Sequence, residues 1–441
     1  MEASQSQKLK QAYDAGLDFL SNLPDLLKVK ILALLPLKEA VRTSALSKCW
    51  RRTWFAIPSL VIYQDEIGFQ TLSEFIAFVY RLLSSHAHSM AKLKLVFGHR
   101  SFLESFDIKE DLDKWINMFL EKHGQELVLD SGYYSTIEIS DSLFSLPDLE
   151  ILNLKCCKLN VPKHIDGFKM LHTLKLDTVN LTGIEIERLV LSCPLLKYFL
   201  IRTDHLGLND LAILSPSLLE LDIDADFKDL YLETPKLVTL SASVISTFVK
   251  YDEYNSPVYV DDEEYDFPSK YENNISRLMC CLPQVENLNL CYNFVKYLDG
   301  GVVPAQLPVS LNLTKMTIEF ATEYSDVARC LLQSAPRLCY LHAKFHGEGL
   351  VYPPWLRFWD DAGATDCELN QLKTVILESS CYYAECIVKY ILKSAPILEM
   401  VGFEEPEDIW SRECRSFKET MKEVLKLPRL SNKAVIKMIQ C

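Results

Sequence analysis

The sequence lacks the residue patterns that build cofactor and metal sites. Glycine contributes only 14 of the 441 residues, and no G-x-x-x-x-G-K-[ST], strand-following G-x-G-x-x-G or G-x-S-x-G motif occurs. Because such glycines let backbone N–H groups approach phosphates and oxyanions, nucleotide-dependent enzymes and serine hydrolases are disfavoured. None of the 14 cysteines forms a C-x-x-C pair, which disfavours zinc domains built on paired ligands.

Long apolar runs and an excess of positive charge are also missing. No run approaches the ~20 residues that a membrane-spanning helix requires, and the net charge is −14. An acidic surface repels phosphate backbones and anionic lipids, so neither nucleic acid nor a membrane is expected as a partner. The opening MEASQSQKLKQAYDAG has no apolar core of a secretory signal. The scattered thiols suit a reducing location, so we expect the nucleus, the cytoplasm or both.

What the sequence does contain is one apolar pattern, apolar-x-x-apolar-x-apolar, repeated along most of its length. The pattern recurs as Leu149/Leu152/Leu154, Leu171/Leu174/Leu176, Leu196/Phe199/Ile201, Leu218/Leu221/Ile223, Leu237/Leu240/Ala242, Val285/Leu288/Leu290, Leu313/Met316/Ile318, Leu338/Leu341/Ala343, Leu372/Val375/Leu377 and Leu398/Val401/Phe403. Met90/Leu93/Leu95 is a weaker early member. From Leu149 to Leu237, successive triplets begin 22, 25, 22 and 19 residues apart.

Prolines mark the start of most of these triplets. Seven of them lie two residues before the first apolar position: Pro147, Pro194, Pro216, Pro235, Pro283, Pro336 and Pro396. Proline ends a helix and favours extended geometry in its neighbour, so each predicts a helix-to-strand junction. Between strands the apolar spacing turns helical, as in TGIEIERLVLSCP. This unit is similar to the leucine-rich repeat, whose period is ~20–29 residues, and an α/β enzyme would not show so regular a spacing.

Residues 20–54 carry more apolar side chains than so short a helical segment can bury by itself. Pro36 is expected to end a first helix, Val41 to lie on a second, and Trp50 and Trp54 on a third. We expect Trp50 to face inward and Trp54 to lie nearer the rim. The surplus apolar surface is then offered to a partner.

The same segment resembles an F-box. It has the Leu-Pro opening at 23–24, the Ile-Leu-x-x-Leu-Pro middle at 31–36 and the Trp-Arg-x-x-Trp end at 50–54. The form Glu-Ala-Val-Arg-Thr-Ser at 39–44 is typical of plant F-box proteins with leucine-rich repeats. One departure is Cys49, where that set usually has Arg, and this alters surface charge rather than packing.

The end of the chain resembles the FBD domain of these proteins. Trp359 and Cys367 match its entry motif, although the prolines usual between them are missing. The resemblance implies an α/β fold in which a three-helix F-box precedes a leucine-rich-repeat solenoid, with one parallel strand per repeat and helices on the convex side. The predicted boundaries are a flexible N-terminus at 1–16, the F-box at 17–60, the repeats at 61–358 with an acidic insertion at 250–275, and an FBD-like region at 359–441.

The resemblance also implies a function, the substrate-recognition subunit of a Skp–cullin–F-box (SCF) ubiquitin ligase with no catalytic residue or cofactor of its own. Such a receptor binds a Skp-type adaptor, and through it cullin and RING subunits, and raises the effective concentration of substrate near the conjugating enzyme. The residues implied in adaptor binding are Leu23, Pro24, Leu27, Ile31, Leu34, Leu35, Pro36, Val41, Ser44, Leu46, Trp50 and Trp54.

The repeats are expected to hold an unidentified protein substrate through the side chains that alternate with the buried ones. These side chains are expected to form one exposed row, which comprises Asn153, Lys155, Lys175, Asp177, Leu200, Arg202, Asp222, Asp224, Glu319, His342 and Lys344. Its mixture of signs favours a polar protein epitope, since a polyanion would need a continuous cationic track. The acidic insertion at 250–275 and the aromatic loop at 351–361 are the alternative recognition sites.

Two other functions stay open on the sequence. One is an interaction scaffold that binds its adaptor but supports no ubiquitin transfer, and the other is a small-molecule receptor whose repeat surface holds a ligand. Cys339, His342 and His346 are spaced like metal ligands, but they overlap a repeat strand and lack a fourth ligand in range. We therefore interpret them as strand residues and expect no metal.

Overall fold

The chain folds as two compact units, residues 1–173 and 174–441. The computed structural model describes residues 19–67, 69, 71–86, 89–98, 108–132, 137–203, 208–225, 227–244, 249–251, 257–259, 274–299, 303–321, 324–346, 369–378, 383–404, 422 and 424–439. The predicted flexible N-terminus, the aromatic loop at 351–361, the motif residues Trp359 and Cys367, and most of the insertion lie outside the described residues.

The first unit begins with short helices and continues into a parallel sheet. Its helices are α1 (Asp25–Leu32), α2 (Leu37–Arg42), α3 (Gln64–Ile67), α4 (Leu72–Ser85) and α5 (Lys109–Glu121), with 3-10 turns at Thr43–Ala45, Thr53–Ala56 and Asp141–Ser145. Its strands are β1 (Ser59–Tyr63), β2 (Lys92–Val96), β3 (Glu126–Asp130), β4 (Ile137–Glu138), β5 (Ile151–Lys155) and β6 (Cys157–Lys158). β1, β2, β3 and β5 pair in that order, all parallel.

The second unit carries a longer ladder of the same kind. Its strands are β7 (Thr173–Asp177), β8 (Tyr198–Arg202), β9 (Leu208–Leu214), β10 (Glu220–Asp224), β11 (Phe227–Glu233), β12 (Thr239–Ser243), β13 (Val249–Tyr251), β14 (Pro257–Tyr259), β15 (Asn287–Leu290), β16 (Lys315–Ala321), β17 (Tyr340–His346), β18 (Thr374–Glu378), β19 (Met400–Glu404) and β20 (Val435–Ile439). Its helices are α6 (Gly183–Leu191), α7 (Asn274–Met279), α8 (Tyr292–Leu298), α9 (Ser325–Gln333) and α10 (Tyr383–Ser394).

The ladder of the second unit follows chain order. Its hydrogen-bonded sequence is β7, β8, β10, β12, β15, β16, β17, β18, β19 and β20, and every pair from β8 to β20 is parallel. Equivalent positions of successive repeats are register partners, as Phe199, Leu221 and Leu240 show. The predicted solenoid class, with one parallel strand per repeat, is confirmed.

The triplets identified in the sequence form the core of these strands. In β5 the side chains of Leu152 and Leu154 are fully buried, whereas Asn153 and Lys155 between and after them are half-buried. The first residue of every triplet, from Met90 to Leu398, is buried at the turn into its strand. Alternation with a period of two therefore places one side chain in the core and the next on the opposite face, which we call the open face.

The return segments differ from the expectation that each is a helix. Pro194, Pro336 and Pro396 do follow helices, namely α6, α9 and α10. Pro216 and Pro235 instead follow β9 and β11, which pair with each other as a separate parallel sheet. The apolar residues of these two returns alternate, with Leu211 and Ile213 buried in β9, so they suit a strand better than a helix.

The capping of α6 provides a stability test. Thr182 Oγ1 accepts a hydrogen bond from the Glu185 backbone N–H at 3.3 Å, and the Glu185 carboxylate accepts one from the Thr182 N–H at 2.8 Å. The Glu185 carboxylate thereby satisfies the Thr182 N–H, and the Thr182 hydroxyl adds a second acceptor for the Glu185 N–H, which also donates to the Thr182 carbonyl oxygen. We expect Thr182→Ala to lower the free energy of unfolding by about 1 kcal/mol in urea titrations. Thr182→Ser should restore most of that loss, and equal destabilisation by both substitutions would contradict a capping role.

Candidate binding surfaces

The N-terminal helices have a small core of their own. Leu32, Ala40, Trp50 and Ile57 are buried together, and Trp54 packs partly buried against them. This confirms the expectation that Trp50 faces inward and Trp54 lies nearer the rim. The two tryptophans do not share a helix, however, because Trp50 lies in a turn and Trp54 in the 3-10 helix Thr53–Ala56.

The same segment carries a set of exposed apolar side chains. The exposed fractions are 69% for Leu26, 44% for Leu27, 39% for Ile31, 86% for Leu34, 40% for Leu35 and 69% for Leu46. Single exposed leucines are ordinary on proteins, but six exposed large apolar side chains within residues 26–46 indicate an interaction surface. We call the set Leu26, Leu27, Ile31, Leu34, Leu35 and Leu46 the apolar face.

The residues that the resemblance implied in adaptor binding divide by burial. Leu27, Ile31, Leu34, Leu35 and Leu46 lie on the apolar face, and Pro24 and Pro36 are exposed at the starts of α1 and α2. Leu23, Val41, Ser44 and Trp54 are half-buried, and Trp50 is buried. Trp50 therefore belongs to the buried core of the N-terminal helices and not to the exposed apolar face.

Two residues that the sequence pattern does not single out shape this region. Leu32 is fully buried and anchors α1 to the core. Lys28 lies one turn before it and is 4% exposed, with its ammonium 3.2 Å from the carboxylate of exposed Asp25. Lysine is an amphipathic side chain, so its stem can be buried against apolar neighbours while its charge pairs at the rim. A hydrophobicity pattern does not reveal such burial.

The open face of the first unit carries Asn153 and Lys155, both half-buried on β5. Charges on neighbouring strands are paired, since Lys92 Nζ on β2 lies 2.7 Å from a Glu126 carboxylate oxygen on β3. Directly opposed strand residues approach closely enough for such pairs. The surface is therefore polar but locally neutralised.

In the second unit, Arg202 forms ion pairs with two acidic residues of the predicted row. Its guanidinium lies 3.9 Å from carboxylate oxygens of both Asp177 and Asp224. Lys175 Nζ lies 5.0 Å from the centre of the Tyr198 ring, within cation–π range. Partial burial raises the pKa of the Asp222 carboxyl, and Arg202 opposes that shift.

The remaining predicted residues lie on later strands. Glu319 of β16 is the register partner of Lys344 on β17, and Lys344 Nζ also lies 3.2 Å from a carboxylate oxygen of Glu378. His342 Nε2 lies 3.6 Å from Glu404. The prediction that the whole row is exposed is wrong. Leu200 is 7% exposed and most of the others are half-buried, because neighbouring open-face side chains cover one another.

Among the described cysteines whose pKa is shifted, none is activated as a nucleophile. Burial raises the pKa of the Cys157 thiol, and it raises that of Cys330 to about 11. A thiol needs a lowered pKa to act as a nucleophile near neutral pH. Nine cysteines in the described part of the chain are free thiols.

Within the described part of the chain, no helix combines the length and hydropathy needed to cross a bilayer.

Helices with an apolar face precede a parallel ladder with one strand per repeat, and the comparisons with known families match an F-box and leucine-rich repeats in the same order. The F-box domain model matches residues 20–58. The model for the leucine-rich repeats of the FBD-associated F-box protein At5g56370 matches residues 112–252. Neither match is to a family of enzymes.

Relatives from Arabidopsis thaliana extend this similarity over nearly the whole chain. The F-box/FBD/LRR-repeat protein At1g13570 is 27% identical over 96% of this chain and 99% of its own length. F-box/LRR-repeat protein 13 is 25% identical over 99% of both chains, and the F-box/FBD/LRR-repeat protein At2g04230 is 35% identical over 47% of both. Nearly the whole chain is therefore similar to plant F-box/FBD/leucine-rich-repeat proteins. The domain boundaries, including the FBD-like region at 359–441, stay predictions.

Proposed function

We propose that this chain is the substrate-recognition subunit of an SCF-type ubiquitin ligase. The apolar face binds a Skp-type adaptor, which connects the chain to cullin and RING subunits. The open face of the repeats holds a protein substrate, and other subunits carry out ubiquitin transfer. We further propose that the protein acts in the nucleus, the cytoplasm or both.

The observation that carries the proposal is the exposure of the apolar face. Leu34 is 86% exposed, and Leu26 and Leu46 are each 69% exposed. Burial of apolar area contributes about 25 cal/mol per Å² removed from water, so these side chains favour association with a partner. An F-box is the segment through which such a receptor reaches its adaptor, and the F-box match spans this face.

The ligase role and the scaffold role differ in what accompanies the chain. A receptor should co-purify with cullin as well as with the adaptor, and a partner captured by proximity labelling should accumulate when the proteasome is inhibited. A scaffold should retain the adaptor without either effect. Recovery of adaptor alone, with no partner stabilised by proteasome inhibition, would contradict the receptor assignment.

Substrate recognition by the open face can be tested at the acidic end of β10. We expect the paired reversal Asp222→Lys with Asp224→Lys to remove a subset of proximity-labelled partners, because it reverses two charges beside Arg202. The adaptor should still bind. Asp222→Asn with Asp224→Asn should give a smaller loss, since it removes the charges without adding repulsion.

The matched control for this test makes the same change in net charge at two other positions. Glu233→Lys with Glu399→Lys reverses two exposed charges outside the predicted row, and all partners should be retained. If the β10 pair also retains every partner while unfolding at the same temperature as the parent chain, recognition lies elsewhere. The segments at 250–275 and 351–361 then become the better candidates.

A further inference from the structure

Three potential metal-ligating side chains converge on the open face of β17, β18 and β19. One ligand atom each from His342, Glu378 and Glu404 lies within 4.8 Å of the other two. Glu378 and Glu404 are register partners on adjacent strands, and Glu378 is also the partner of Lys344, two residues after His342. The ladder therefore fixes this group, and sequence spacing alone does not show it.

The imidazole is the unusual member of the group. His342 Nε2 is buried from solvent and makes no hydrogen bond within the described part of the chain. A carboxylate oxygen of Glu404 lies 3.6 Å from this nitrogen, which is too long for a hydrogen bond. Buried polar atoms are normally satisfied, so an unpaired imidazole nitrogen directed at carboxylates requires an explanation. A shared cation would satisfy the nitrogen and the carboxylates together.

The surroundings of the group are partly apolar. Ile376 is the register partner of His342, and Gly402 is the register partner of Ile376. A Cβ at position 402 would collide with Cδ1 of Ile439, so the glycine lets that isoleucine cover the strand beside the group. The side chains of Glu378 and Glu404 are only 17% and 21% exposed. Low solvent access strengthens the interaction of carboxylates with a cation.

Lys344 is the competing cation, because its ammonium pairs with Glu378 at 3.2 Å. The register partner of Lys344 on its other side is Glu319 of β16. The ammonium therefore has a second carboxylate on the neighbouring strand to which it can turn. Such a change would release Glu378 as a ligand without leaving the lysine charge unpaired.

We propose that His342, Glu378 and Glu404 bind one divalent transition-metal ion. One imidazole and two carboxylates form a mixed nitrogen and oxygen ligand set of the kind that suits Zn²⁺ and Co²⁺. Water would complete the coordination shell. Mg²⁺ and Ca²⁺, which prefer oxygen ligands alone, should compete poorly. The ion would join three consecutive repeats and would alter the charge of the open face.

The test is a Co²⁺ titration of the full chain, followed by absorption spectroscopy and displacement with Zn²⁺. Co²⁺ should bind in a 1:1 ratio and show d–d bands without thiolate-to-cobalt charge transfer. His342→Ala and the nearly isosteric Glu404→Gln should each weaken binding by at least about tenfold. Thermal unfolding of the metal-free variants reports whether they fold.

A second His–Glu pair in the chain supplies the matched control. His172 Nε2 lies 3.5 Å from Glu150, but these two residues are not part of a three-residue group among the described side chains. His172→Ala should leave Co²⁺ binding unchanged. The proposal is overturned if Co²⁺ does not bind, if charge transfer places the ion on cysteines, or if folded Glu404→Gln binds as tightly as the parent chain.

Discussion

Replacing Leu34 by aspartate is expected to abolish capture of the Skp-type adaptor. Leu34 is the most exposed apolar side chain of the apolar face, at 86%. Its replacement would force an unpaired carboxylate into a desolvated contact, at a cost of several kcal/mol. Each 1.4 kcal/mol weakens binding about tenfold, so co-precipitation at moderate protein concentration should disappear.

Two comparisons separate loss of binding from loss of folding. Since Leu34 contacts little of its own chain, Leu34→Asp should unfold at the same temperature as the parent chain. Leu191→Asp provides the control, because Leu191 on α6 is 56% exposed but lies outside the F-box. It should retain the adaptor in full. Undiminished capture by Leu34→Asp would remove the apolar face as the adaptor site.

Replacing Leu152 by alanine is expected to lower the free energy of unfolding by about 2–5 kcal/mol. Leu152 is 1% exposed, and its register partner Leu127 on β3 is fully buried. Truncation removes buried methyl groups and leaves a cavity that the adjacent parallel strand β3 cannot close without shifting register. Leu174→Ala, at the equivalent position of the next repeat, should behave in the same way. Chemical denaturation monitored by circular dichroism measures both changes.

The adjacent residue Asn153 is the internal control for this prediction. It lies on the same strand, is half-buried, and faces away from the core. Asn153→Lys should change the free energy of unfolding by less than about 0.5 kcal/mol. A reversed ranking of the two positions would mean that the strand is displaced by one residue, which would exchange its faces.

Most strands of the two ladders could be predicted from their triplets, but β1 was missed although Ile57, Leu60 and Ile62 complete the same pattern. β3 was not predicted, because Gly124 stands where the first apolar residue should be. The ring of Phe119 occupies the space that a side chain at 124 would fill, so the core is complete although the pattern is not. β20 was missed for a related reason: Ile436 and Met438, the register partners of buried Val401 and Phe403, follow Lys433 where the pattern needs an apolar residue, and Met438 is itself 49% exposed.

The side-chain groups of the open face were less accessible to sequence reasoning. The sequence indicated which residues lie between the buried positions, and hence the row that includes His342 and Lys344. It did not indicate that His342 meets Glu404, because that contact depends on the register of strands separated by long connections. The burial of open-face side chains by their neighbours, as at Leu200, likewise depends on adjacent repeats rather than on one segment.

The uniform register of the second ladder has a consequence for how such chains can diversify. Leu221 and Leu240 are register partners 19 residues apart, whereas Leu240 and Leu288 are partners 48 residues apart in the same geometry. The entropy of closing a loop grows only with the logarithm of its length, so the longer connection costs under about 1 kcal/mol more. Insertions between strands are therefore nearly neutral to the ladder, and new recognition segments can be acquired there without refitting the core.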